Sequence, residues 1–167
     1  MAEYRLENVI DCPIERKWAL FFDDAFNVEM YEQGLGFPKC EIAERRDDGE
    51  VLHRRMICVP KLEVPKALAK IVGDRTGYEE IGDWVRSAGE WRWRLVLSAF
   101  GDKVAINGTM RLEPLGEGKC KRVTVFTVAA KVFGIGKIVE KTAADNVISG
   151  WSDSARWING WLARNPA

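Results

Sequence analysis

The sequence has a single histidine, His53, and no surplus of charge: Lys plus Arg and Asp plus Glu stand at 25 each in 167 residues. No Ser-His or Cys-His pairing is evident around that histidine, so the usual acid–base and nucleophilic constellations are missing. Balanced charge supplies no global field toward nucleic acid, and no nucleic-acid partner is expected. Cys12, Cys40, Cys58 and Cys120 lie far apart in the chain and form no C-x-x-C pair, which argues against a zinc site. Reduced, partly buried thiols, no metal and no cofactor are expected. Long apolar runs are also lacking. VTVFTVAA, Val123 to Ala130, falls far short of the ~20 residues of a membrane helix, and MAEYRLENVI has no apolar stretch of the secretory kind. A soluble, cytoplasmic protein is expected.

Nucleotide-binding loops are missing as well, although VFGIGKIVEK (132–141) imitates one. A phosphate-binding loop needs G-x-x-x-x-G-K-[ST], and here Lys131 takes the first glycine position and Ile138 the hydroxyl position. The dinucleotide fingerprint fails at Val139, where its third glycine belongs. Gly134 and Gly136 therefore read as a bend between a strand and a helix.

What is present is 47% apolar residues, enough for one sizeable core and one domain over residues 1–167. EYRLENVI alternates as a strand does, and Pro13 opens a helical pattern carrying Trp18, Phe21, Phe22, Phe26 and Met30. A soft break near Asp23-Asp24 makes this two short helices. Asp47 to Gly49 marks a hairpin between Lys39–Arg46 and Glu50–Val59. A short amphipathic helix spans VPKALAKIVG. GEWRWRLVL gives the plainest alternation, with Trp91, Trp93, Leu95 and Leu97 on one face. Val104–Leu112 and Arg122–Ala130 continue the antiparallel run, and one long helix follows Gly136 to about Arg164. Hairpin-linked strands with segregated helices indicate α+β architecture.

At roughly 100° per residue, the last helix gathers Ile135, Val139, Thr142, Ala143, Asn146, Gly150 and Trp157 in one arc that widens toward the carboxyl end through Val147, Trp151, Ser154, Ile158 and Trp161. Small and polar residues in the middle of that arc suit a helix that faces a partly filled space.

The run NGTMRLEPLGEGKCKRVTVFTVAAKVFGIGKIVEKTAADNVISGW resembles the carboxyl-terminal half of a bacterial branch of the START-like helix-grip superfamily. That superfamily includes lipid-transfer domains, plant pathogenesis-related allergens and polyketide cyclases. Gly108, Thr109, Leu112, Pro114, Gly136, Lys137, Ile138 and Glu140 carry the resemblance, with Val139 inserted before Glu140 relative to the pattern. The element order matches over nearly the whole chain, the specific motifs over its last third.

The resemblance implies a curved antiparallel sheet of about six to seven strands gripping the terminal helix around an apolar cavity. Trp91, Trp93, Ile106, Met110 and Val125 or Phe126 would form its walls, Asn146 and Gly150 would face them, and Leu68 and Ile71 would lie at the mouth. Ordinary core packing is the alternative for each. Arg55 would anchor an acidic head group if it faced inward, but Leu52, Met56 and Cys58 compete with Val51, Ile57 and Val59 for the inner face. Glu79, Glu80 and Asp83 read as a solvated acidic edge or, less simply, as a source of a cavity carboxylate. Binding or transport of a small apolar or amphipathic ligand (lipid, sterol-like or polyketide) leads. A cyclase- or hydrolase-type enzyme using His53, Arg55 and Glu80 is one alternative, and a protein-interaction module with exposed tryptophans is another. The basic segment Lys61 to Lys70 leaves room for transient membrane contact.

Overall fold

The computed structural model of the protein describes residues 2–167. In β1 (Ala2–Ile10) the pleat turns Tyr4, Leu6, Asn8 and Ile10 inward. Two helices follow, α1 (Ile14–Phe21) and α2 (Asp24–Glu29). Asp23 caps the second by accepting from the Phe26 amide at 2.8 Å, and a π turn at Met30–Gly34 prolongs it. β2 (Lys39–Asp47) and β3 (Val51–Val59) form the expected hairpin. Asp48 holds its turn by accepting from the Glu50 and Val51 amides at 2.9 and 2.8 Å.

After α3 (Lys66–Val72) come β4 (Tyr78–Val85), β5 (Glu90–Leu97), β6 (Gly101–Pro114) and β7 (Cys120–Ala130), then α4 (Gly136–Arg164). The seven strands make one antiparallel sheet in the order β1-β7-β6-β5-β4-β3-β2. β1 thus lies beside β7, its first residues paired with the end of that strand (Ala2 with Val128). α4 lies against β7, β1 and the π turn. This is the helix-grip arrangement of the START-like fold.

The main core lies between the sheet and the helices and includes Phe21, Leu68, Trp91, Trp93, Ile106, Met110, Phe126 and Val139. Two glycines place its indoles. A Cβ added at Gly82 would stand 2.1 Å from the Trp91 ring, and one at Gly108 would stand 2.4 Å from Trp93 and 2.7 Å from the Val125 carbonyl. Each indole therefore lies flat across a neighbouring strand where only glycine leaves room. A second cluster closes the carboxyl end of α4, where Phe26 meets Trp157 and Trp161 at ring centroid distances of 5.6 and 5.0 Å.

The bend at 132–136 joins β7 to α4 as the sequence predicted. Gly134 has φ of 77°, Glu140 accepts from the Ala130 amide at 2.9 Å, and Lys137 is exposed.

Candidate functional site

A cavity of about 240 Å³ opens between the sheet and α4. Trp93, Leu95, Leu97 and Ile106 line it from the sheet, and Val139, Ala143, Asn146, Val147, Gly150 and Trp151 line it from α4. Phe21, Phe26 and Met30 close one side, and Leu62, Val64, Leu68 and Val72 border another. A Cβ on Gly150 would meet nothing within 4 Å, so the middle of the helix looks onto open space. Asn146 also lines this space, and its amide nitrogen donates to the Thr142 carbonyl at 2.9 Å within the helix.

The residues singled out from the sequence divide into three groups. Trp93, Ile106, Asn146, Gly150 and Leu68 come together around the cavity. Trp91, Met110 and Phe126 are buried on the same side of the sheet but belong to the packing behind it, outside the lining. Trp91 is enclosed by Phe21 and Phe22 at 5.2 and 6.0 Å. Ile71 is exposed on α3 and does not line the cavity, because Leu68 and Val72 take the inward face of that short helix.

Arg55 stands on the outer face. The inner parity of β3 is Leu52, Arg54, Met56 and Cys58, so Arg55 turns outward to Glu79 at 2.6 Å and Glu44 at 3.7 Å. His53 is on that outer face too, with Nδ1 2.8 Å from Asp83. The acidic cluster is therefore split by the pleat of β4. Glu79 and Asp83 go outward, while Glu80 is buried and lines the cavity. His53, Arg55 and Glu80 do not converge, which removes that trio as a catalytic set. None of the seven tryptophans is exposed, so they form no surface patch.

The interior holds a polar group that the sequence reading did not single out. Lys17, Arg54 and Arg122 are 2%, 1% and 2% exposed. Arg54 donates to the Phe21 carbonyl at 2.6 Å and to Glu80 at 3.3 Å, and its guanidinium lies 4.5 Å from the Phe21 ring centroid. Burial pushes the Glu80 carboxyl above the ordinary range, and Arg54 opposes that shift. Arg122 lines the cavity and donates to neutral oxygens: Asn8 Oδ1 at 3.1 Å, the Trp151 carbonyl at 2.6 Å and Ser154 Oγ at 3.1 Å. Its Nε is buried with no partner among the described residues. Lys17 lines the same cavity, and burial, with the Arg122 charge next in weight, brings its ammonium down to about 7.

A signal for the two arginines existed in strand parity. Arg122 shares its register with Cys120, Thr124, Phe126 and Val128, and Arg54 with Leu52, Met56 and Cys58, all inward. The four cysteines, distant in sequence, come together in two buried pairs. Cys40 and Cys58 are register partners across β2 and β3. The Cys120 thiol hydrogen-bonds to Cys12, bringing Cys12 down to about 7 while Cys120 is held up. Among the described residues no group of His, Cys, Asp and Glu side chains could hold a metal ion, and no helix is long and apolar enough to cross a membrane.

The family model described as "Protein of unknown function (DUF2505)" matches residues 5–162. Among curated proteins no sequence matches. Solved structures match over nearly the whole chain. A START superfamily protein from Mycobacterium smegmatis is 17% identical with a TM-score of 0.59, covering 97% of each chain. The Zhui aromatase/cyclase from Streptomyces sp. R1128 is 12% identical with a TM-score of 0.66, covering 99% of this chain and 96% of that one. Norcoclaurine synthase from Thalictrum, solved as a point mutant with a transition-state analogue, is 17% identical with a TM-score of 0.66 over the same shares. At these identities the likeness shows the fold.

Proposed function

The chain belongs to the family described as Protein of unknown function (DUF2505), and from its START-like fold and interior we propose that it binds a small apolar or amphipathic molecule. The lipid, sterol-like and polyketide classes suit the cavity between the sheet and α4. The observation that carries this reading is the open space at Gly150. A glycine in a helix interior costs ~1 kcal/mol relative to alanine, and no neighbouring atom within 4 Å requires one here. Retaining it keeps volume free beside apolar walls. At about 240 Å³, the space approaches the lower end of the ~300–1,000 Å³ range of small-molecule pockets.

The neutral apolar fluorophore N-phenylnaphthylamine tests the reading. It should brighten on binding and accept energy from Trp93 and Trp151, both in the lining. Gly150→Phe should weaken it about tenfold or more by filling the space. A wild-type protein that does not bind the probe, or a Gly150→Phe protein that binds it equally, removes the reading.

Transient membrane contact belongs to the same proposal. Pro65, at the start of α3, borders one open surface hollow with Lys137 and Ile138 from the first turn of α4, and Phe133 is fully exposed just before that turn. Lys61, Lys66, Lys70 and Lys137 add positive charge to these segments. Flotation with phosphatidylglycerol vesicles should carry some protein upward, and less of Phe133→Ser.

A further inference from the structure

The cavity walls are apolar, but its buried charges do not balance. Two carboxylates reach the lining, and each has its own cation. Glu80 is met by Arg54 at 3.3 Å, and Asp153 is paired with Arg156 on the outer side of α4. Of the lining cations Lys17, Lys61 and Arg122 remain; Lys61 is exposed to solvent, which leaves Lys17 and Arg122 as the buried ones. Arg122 uses its Nη2 on an amide oxygen, a backbone carbonyl and a hydroxyl, with no carboxylate in reach, and its buried Nε is unpartnered. Lys17 has no hydrogen bond or ion pair from its ammonium among the described residues, and the ammonium lies 4.9 Å from the Phe21 ring centroid.

Four charged or titratable groups face Lys17. Arg122 on β7 and Arg54 on β3 repel its charge; of the two thiols beside it only Cys12, brought down to about 7, supplies partial negative charge, and neither hydrogen-bonds to the ammonium. A cation taken out of water without an anion is expensive, and two close together are more so. Side chains that carry such a cost concentrate at ligand sites. A single negative charge suffices here, because Lys17 is partly neutral near pH 7.

We propose that Lys17 and Arg122 form a receptor for the carboxylate head of an amphipathic ligand whose tail lies along Trp93, Val147 and Gly150. This rests on the apolar-ligand reading and deepens it by naming the polar end. The guanidinium of Arg122 and the ammonium of Lys17 come from β7 and α1, so the head group would tie the first helix to the sheet. Charge-assisted hydrogen bonds in a dry site are stronger than their neutral counterparts, so an acid should outbind the alcohol of the same chain length.

Decanoic acid and decan-1-ol, titrated calorimetrically into the purified full chain at pH 7.5, test this. The acid should bind about tenfold more tightly or better, as expected for added charge-assisted bonds. It should also take up a fraction of a proton as Lys17 recharges, read from the dependence of the heat on buffer ionisation enthalpy. Lys17→Met should remove both the preference and the uptake while keeping alcohol binding, and Lys17→Arg should restore the preference without the uptake. If acid and alcohol bind equally, or if the preference survives Lys17→Met, the carboxylate receptor is wrong and the apolar cavity stands. Absence of binding by both, together with failure of the neutral fluorophore, overturns the cavity reading and the receptor with it. The wild-type comparison needs no variant to fold.

Discussion

At the scale of single residues, glycine does opposite work in two places. Gly108 is filled by Trp93 and the Val125 carbonyl, whereas Gly150 faces empty space. Gly108→Ala should cost about 1–3 kcal/mol through overpacking against a rigid indole and backbone. Gly150→Ala should stabilise the fold by about 0.5–1 kcal/mol through helix propensity. Urea denaturation of the two variants checks both signs. Arg54 is a third case. Removing it as Arg54→Met strands Glu80 in the core, with an expected loss of about 3–5 kcal/mol. Adding Glu80→Gln should return most of that loss, as a double-mutant cycle would show.

The tryptophans of GEWRWRLVL were legible because alternation alone puts them inside. Which of them borders open space was not legible, since Trp91 and Trp93 share a parity and differ only in the helices above them. Lys17 was hidden for a different reason. It sits between Trp18 and Arg16 in a helix whose arc is defined by aromatic residues, and lysine there reads as a solvated face.

At the scale of elements, the order of strands and helices could be read because turns and breakers are local. Asp47 to Gly49, Pro65, Gly73 and the Gly134 bend each fix a boundary through their own backbone preferences. The fate of a charge cluster is not local. Glu79 and Glu80 are adjacent in sequence, and the pleat sends one to Arg55 at the surface and the other to Arg54 in the interior. Choosing between the two parities of β3 required the sheet's neighbours, which lie far along the chain. The cysteines show the same limit, since β2–β3 pairing and the β1–β7 edge make two thiol pairs out of scattered positions. All four thiols are buried, so a thiol reagent such as dithionitrobenzoate should react with them in native protein only as fast as the structure opens. Full reaction within the dead time in native buffer would contradict that.

For the molecule as a whole, the unpaired interior cation should appear in the pH dependence of stability. Lys17 falls from the ordinary 10.5 to about 7 on folding. A depressed folded value means that the cost of burying the ammonium is fully felt below about 7 and disappears above 10.5. Stability should therefore rise with pH from 7, by at most about 1.4 kcal/mol per unit from this group. Cys12, brought down to about 7, adds to the rise in the same sense, whereas the Tyr31 and Tyr78 hydroxyls and the Cys58 and Cys120 thiols are held up by burial and hydrogen bonding and act in the opposite sense once pH passes their ordinary values. The window for Lys17 is thus about pH 7 to 8.5. Lys17→Met should be more stable than wild type at pH 7, with the gap narrowing toward pH 8.5. Equal slopes for the two proteins would show that Lys17 does not titrate there.

The pairing of β1 with β7 bears on how the molecule forms. Ala2 is matched to Val128 and Ile10 to Cys120, so the strand that leaves the ribosome early finds no sheet neighbour until a much later one has been made. The β2-to-β7 meander can assemble by successive hairpins, whereas β1 must close a loop around the whole sheet. Loop closure of that span comes before any reward from contact, and it places the chain among slow-folding, high-contact-order topologies. The cavity, roofed by α4 and closed off by α1, would then be one of the last features to form, and a nascent chain would spend that interval with its lining open to other apolar molecules.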